Sequence, residues 1–185
     1  DVGDGVLAIH ASNLRSIKRI DLMLDAFKEA VSRCDANLLI MAGAEASRIQ
    51  PEIKKRSLEN HVRIVDDVYE IDNYYAASDF TLYTSEYESF CLGILEGMRH
   101  GLPSIAFEVG GIPEVVVNEE SGILVPFGDI EALGVAIVRL AGDGDCRKEM
   151  GASARARAEK EFSAGVIVDS YMGAYRRVLA SESSM

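Results

Sequence analysis

The stretch FTLYTSEYESFCLGILEGMRHGLPSIAF, Phe80 to Phe107, decides the fold, because it holds a whole strand–helix–strand unit. FTLYT is a short, continuously apolar and β-branched run, the pattern of a buried strand. SEYES is a polar crossing loop. From near Phe90 the spacing predicts a helix whose Leu92, Leu95 and Met98 form an apolar stripe toward the sheet. PSIAF, Pro103 to Phe107, is the next buried strand. On the helix, Gly93, Glu96 and Gly97 fall on a neighbouring face. A mid-helix glycine costs about 1 kcal/mol of helix propensity, which a sequence accepts where another backbone or a ligand must come close.

The same alternation runs outward in both directions. Upstream, VLAIHA (Val6 to Ala11), LLIMAG (Leu38 to Gly43) and VRIV (Val62 to Val65) read as strands, with Gly43 suited to a tight turn. Between them, KRIDLMLDAFKEAVSR repeats Ile20, Leu24, Phe27 and Val31 at helical spacing. PEIKKRSLEN reads as a helix with Pro51 in its first turn, and YEIDNYYAAS as a shorter one. Downstream, GILV (Gly122 to Val125) is a sixth strand, followed by three helical stretches and a polar tail, SESSM, expected to fray. Continuously apolar strands separated by helices imply a parallel sheet covered on both faces. The expected fold is therefore α/β, a doubly wound parallel six-stranded Rossmann-like sheet in one domain spanning residues 1–185. Ligands of such sheets bind at the carboxyl ends of the strands.

Composition narrows the function. A net charge of −11 argues against a general nucleic-acid surface. No apolar run is long enough to span a bilayer, and DVGDGVLAIH carries no signal-peptide pattern. Cys34, Cys91 and Cys146 fit neither a disulfide framework nor a metal knuckle, which suits a reduced, cytoplasmic protein with free thiols. His10, His61 and His100 are scattered, and the acid pairs Asp66–Asp67 and Asp143/Asp145 read as loop acids, so no metal is expected.

The first strand-to-helix loop, HASNLRSIKR, contains no glycine where a dinucleotide fold would place G-x-G-x-x-G, which counts against a nicotinamide enzyme. It offers Arg15, Lys18 and Arg19 instead, either a cationic cradle for a diphosphate or a solvated basic loop. After strand four, free N–H groups at Ser89 to Leu92 would point to the strand ends and meet a phosphate or sugar oxygen. Glu96, one to two turns deeper, matches the vicinal hydroxyls of a ribose. Taken singly, Glu96 could equally face solvent and Glu88 act on the helix dipole; together in one unit they favour a ligand. A glycosidase pair needs carboxyl groups roughly 5–10 Å apart across a sugar bond, a geometry this placement does not impose. VGGIPEVV is either another anion-approach loop or a turn whose Pro113 starts a helix.

Glu88 to Glu96, E-S-F-C-L-G-I-L-E, followed by GMRHGLPSIAFEVGGIPEVV, resembles the E-x7-E signature of retaining GT-B glycosyltransferases, the group 1, family 4-like type. With SNLRSIKRIDLMLDAF and SEYESF, the resemblance narrows to members that transfer N-acetylglucosamine from UDP-GlcNAc to L-malate at the start of bacillithiol production. It implies a C-terminal donor-binding domain of a GT-B fold. In it Glu88 would bond the donor sugar, Glu96 would hold the ribose diol, and the backbone at Ser89, Phe90, Cys91 and Leu92 would meet sugar and phosphates. Lys18 with Arg15 would neutralise the diphosphate leaving group, without a metal. Many members carry an arginine where this chain has Asn13, a glycine where it has Cys91, and G-D-G-P where it has GAEASR. The acceptor site, and any membrane contact, would belong to a missing N-terminal domain, which the last helix, residues 163–181, would brace. Two alternatives stay open: a domain that holds nucleotide sugars without chemistry, or a transferase with another donor and a glycan or lipid acceptor.

Overall fold

The computed structural model of this protein describes residues 5–42, 46–66 and 69–182. The apolar runs form six parallel strands: β1 (Val6–Ser12), β2 (Ala36–Ala42), β3 (Val62–Val65), β4 (Phe80–Tyr83), β5 (Ser104–Phe107) and β6 (Gly122–Val125). Their spatial order is β3-β2-β1-β4-β5-β6. β1 pairs with β2 from Val6 opposite Ala36 to Ser12 opposite Ala42, and with β4 at Ala8 opposite Phe80. The strand order reverses between β1 and β4, which opens a crevice at their carboxyl ends. The sheet is the doubly wound Rossmann-like one the sequence predicts.

Alternate side chains of the strands enter cores on the two faces of the sheet. Ala8, Leu38, Ile40, Phe80 and Leu82 meet Met23, Leu24 and Phe27 of α1 (Ile20–Ala30) and Leu133, Ile137 and Leu140 of α6 (Ile130–Gly142). Burying Leu24 and Phe27 fully contributes about 2 kcal/mol each. On the opposite face, Tyr83, Ala106 and Leu124 meet Ile94 and Met98 of α4 (Leu92–Arg99) and Ala154 and Ala158 of α7 (Gly144–Glu161). Leu7, Ile9, Leu39 and Met41 enclose Tyr75 of α3 (Ile71–Ala76). α2 (Ala46–Lys55) and the short α5 (Ile112–Val115) complete the flanks, and α8 (Ala164–Glu182) follows α7 with most of its side chains exposed.

Three local expectations change. α2 starts five residues before Pro51, which lies inside the helix. Ile49 and Ile53, one turn apart, fix the buried face, while Ser47 and Pro51 are both exposed, so water can take the carbonyl that the proline cannot reach. The helix then ends early because Ser57 adopts φ 58°, and Leu58 N–H bonds back to Ile53 O at 3.1 Å in a Schellman-like stop. Asp143 is not a free loop acid: its carboxylate accepts Cys146 N–H at 2.9 Å and caps α7. Asp67, the first half of the GAEASR stretch (residues 43–45, Gly43 among them) and the end of the polar tail lie outside the described residues.

Candidate functional site

Two loops meet above the crevice. The β1–α1 loop contains a 3₁₀ turn at Ser16–Lys18 and is stitched to the loop after β4 by backbone groups. Glu86 N–H bonds Ile17 O at 2.8 Å, and the Thr84 hydroxyl is shared between Lys18 O (3.0 Å) and Arg19 O (3.1 Å). Leu14 and Arg19 take left-handed conformations at φ 50° and 47°. Non-glycine residues rarely do so, and such strain gathers where a loop must hold a set shape.

That stitching brings Lys18 against Glu88. The ammonium forms an ion pair and hydrogen bond with Glu88 Oε1, the two side chains being only 18% and 11% exposed. Ser85, fully buried, donates its hydroxyl to the same oxygen at 2.8 Å. Behind the loop, Gly111 N–H bonds Glu88 O at 2.9 Å. A Cβ on Gly110 would overlap Glu88 O and one on Gly111 would overlap Ser89 O, so the glycine pair of VGGIPEVV lets two backbones lie in contact. Here that loop is a buttress for Glu88.

α4 begins at Leu92, two residues later than the periodicity predicts, with Cys91 at its N-cap in a left-handed conformation, φ 64°. Leu92 is 65% exposed and does not join the stripe toward the sheet; Ile94, Gly97 and Met98 do. The shift has a steric reason. Gly97 rests on the Thr81 methyl and Gly93 on the Tyr83 hydroxyl, and a Cβ at either would overlap them. The glycines thus bring α4 close to the sheet, rotating Leu92 outward over the cleft. Cys91 is buried, and that burial first, then Glu88, pushes its thiol up to about 12. Glu96 receives a hydrogen bond from Tyr75 Oη at 3.0 Å.

Asn13, Lys18, Glu88, Ser89, Phe90, Cys91, Leu92 and Glu96 line one cleft of about 940 Å³, together with Ser12, Met41, Ile71 and Tyr83. Phe90 is held by an edge contact to Phe162, ring centres 5.5 Å apart. Arg15 is exposed and stands apart, in a neighbouring depression with Arg19, Glu52 and Glu86. Its backbone N–H bonds Asn13 Oδ1 at 3.4 Å. The sequence reading missed Ser12, Tyr75, Ser85 and His10. His10 is fully buried; its Nδ1 bonds Leu82 O at 2.8 Å and its Nε2 bonds Ser12 Oγ at 2.7 Å. The carbonyl can only accept, so Nδ1 carries the proton and Ser12 donates to Nε2. Burial lowers the imidazole to about 4. A histidine inside an otherwise apolar strand is the signal that marked it. Among the described residues no group of three or more His, Cys, Asp or Glu could hold a metal ion.

A half-buried cation beside a carboxylate, with a second carboxylate one helix turn or two deeper, suits a ligand bearing both anionic and hydroxyl groups. The sheet order and the cleft at its reversal define an α/β domain of the Rossmann-like GT-B type. The chain belongs to the Glycosyl transferases group 1 family, which matches residues 2–157. It is similar to N-acetyl-alpha-D-glucosaminyl L-malate synthase of Bacillus anthracis, 34% identical over 179 residues that cover 96% of this chain and 47% of the relative. The sucrose-phosphate synthase (tll1590) of Thermosynechococcus elongatus superposes with TM-score 0.86 and 28% identity, covering 96% of this chain and 46% of that one. Anabaena Alr3699/HepE, solved in complex with UDP and glucose, shares the fold at TM-score 0.81 and 23% identity, covering 100% and 50%. The chain thus spans about half the length of these proteins.

Proposed function

We propose that this chain, as one domain over residues 1–185, is the donor-binding half of a retaining GT-B glycosyltransferase and takes a UDP-sugar in the cleft above β1 and β4. The observation that carries the reading is the convergence of Lys18, Glu88 and Glu96 on that cleft. Glu96 accepts from the ribose diol, and Glu88, oriented by Ser85, accepts from a sugar hydroxyl. Lys18, paired with Glu88, meets the diphosphate, aided by the N–H groups at the start of α4, Leu92 and Gly93. The charge that develops on the leaving diphosphate is then stabilised electrostatically, an effect whose removal costs roughly 10²–10³ in rate. The acceptor hydroxyl attacks from the same face as the departing phosphate, which takes its proton, so configuration is retained.

The similarity to the Bacillus anthracis synthase supports N-acetylglucosamine as the transferred sugar and L-malate as the acceptor; the proposal extends to UDP-GlcNAc as donor, a cytoplasmic setting and a role in bacillithiol production. The fold shared with HepE, solved with UDP and glucose, supports a uridine nucleotide. The exposed apolar residues of α8, among them Val168, Tyr171, Tyr175 and Leu179 (58%, 61%, 61% and 64%), support its bracing a second domain that carries the acceptor site. Transfer then requires both halves. Adding that domain to the chain is expected to give malate-dependent consumption of UDP-GlcNAc, lost in Lys18→Ala and Glu96→Ala. Rapid transfer by the isolated chain, or full activity in Glu96→Ala, would overturn the reading.

A further inference from the structure

Tyr75 is fully buried among Leu7, Ile9, Leu39, Met41 and Leu102, yet its hydroxyl reaches Tyr83, Gly93 and Glu96, which line the cleft. One ring face stacks on His100, centres 5.7 Å apart and 17° from parallel. Its Oη lies 3.0 Å from Glu96 Oε2, 3.3 Å from Gly93 O and 3.4 Å from Tyr83 Oη. A carboxylate and a carbonyl can only accept, so Tyr75 donates toward α4 and Tyr83 donates to Tyr75. The result is a directed chain, Tyr83 Oη–H to Tyr75 Oη–H to Glu96, inside a low-dielectric core where successive hydrogen bonds reinforce one another. Burial pushes both phenols well above their ordinary range, so both stay donors.

A glutamate on a helix has several rotamers, and a diol-binding carboxylate must sit in one of them when the ligand arrives. Tyr75 has no such freedom: its ring is walled in, and its hydroxyl can move only about one bond. We infer that Tyr75 is a positioning residue that fixes one oxygen of Glu96 from below, presenting the other to the cleft, and so sets how strongly the site demands a vicinal diol. This rests on the donor-site reading given above. The role also explains why α4 carries glycine at position 93, where any side chain would displace the Tyr83 hydroxyl at the head of the chain.

The test compares UDP with 2′-deoxy-UDP on the unmodified chain, Tyr75→Phe and Glu96→Ala, with Tyr83→Phe as a second variant should Tyr75→Phe fold poorly. Phenylalanine keeps the packing and removes only the hydroxyl. Tyr75→Phe should weaken UDP by roughly tenfold, the worth of a hydrogen bond to a charged group, and bring the UDP to 2′-deoxy-UDP affinity ratio close to one. Tyr83→Phe should shift the ratio the same way by less. An unaltered ratio in Tyr75→Phe, with Glu96→Ala still abolishing UDP binding, overturns the proposal and leaves the donor site standing. If the unmodified chain fails to bind UDP, the donor-site reading falls. The proposal is then judged by ¹³C relaxation of the Glu96 side chain without ligand: greater mobility in Tyr75→Phe supports it, and unchanged mobility overturns it.

Discussion

Glu88 and Glu96 face one cleft, but each owes its place to a fully buried hydroxyl that the sequence did not mark, Ser85 for the first and Tyr75 for the second. Serine and tyrosine in strand ends and helices look ordinary until the fold shows where they point. The Lys18–Glu88 pair is little exposed on both sides. Lys18→Ala should weaken UDP by about thirtyfold, roughly the 2 kcal/mol that truncating one partner of a buried charged pair removes; calorimetry at two salt concentrations checks it, with a shallower salt dependence in the variant. His10 gives a pH dependence. Its folded value, about 4, lies below the unfolded value of 6.5, so the unfolded chain binds the proton first. Stability is then complete above pH 6.5 and falls as pH drops toward 4, by up to about 3 kcal/mol. Urea unfolding at pH 7 and 4.5 measures this; in His10→Asn the difference should shrink. Cys91, with its thiol pushed up to about 12, should resist iodoacetamide at pH 8 in the folded chain and react rapidly once urea unfolds it.

At the scale of elements, the strands and helices were legible because continuous apolar runs and 3.6-residue spacing report burial directly. The ends of helices were not. The start of α4 moved from Phe90 to Leu92 because Gly93 and Gly97 set how closely the helix lies on Tyr83 and Thr81, a contact between segments that no local pattern carries. The sequence marked those glycines as close-approach positions without telling whether a ligand or the sheet came close; it is the sheet. Gly97→Ala should therefore destabilise the chain by about 1–3 kcal/mol through overpacking against Thr81, and shift Glu96 enough to weaken UDP. Gly142 has nothing within 4 Å of a built Cβ, so Gly142→Ala should leave stability within about 0.5 kcal/mol of the parent. Thermal unfolding of the two variants side by side tests the contrast. The VGGIPEVV loop shows the same limit: its glycines were readable as a turn or a ligand approach, and their contact with the backbone of Glu88 and Ser89 appears only in the fold.

For the whole molecule, the glycine-free first loop excluded a dinucleotide fingerprint, and the E-x7-E spacing pointed to the glycosyltransferase family that matches residues 2–157. Arg15 illustrates what spacing alone misses: it neighbours Lys18 in sequence, yet the 3₁₀ turn at Ser16–Lys18 sends it to a separate depression. Lys18 is consequently the principal side-chain cation of the cleft lining, so binding of a diphosphate to this chain should be modest and strongly salt-dependent. Among the described residues no helix is long and apolar enough to cross a membrane. A uridine nucleotide is the proposed occupant of the cleft between the β1 and β4 loops. Calorimetric titration of the chain with UDP, UDP-GlcNAc, GDP-mannose and NAD is the decisive measurement. Heat from UDP and UDP-GlcNAc that disappears in Glu96→Ala, with none from NAD, is the predicted result; binding of NAD with no binding of UDP would contradict it.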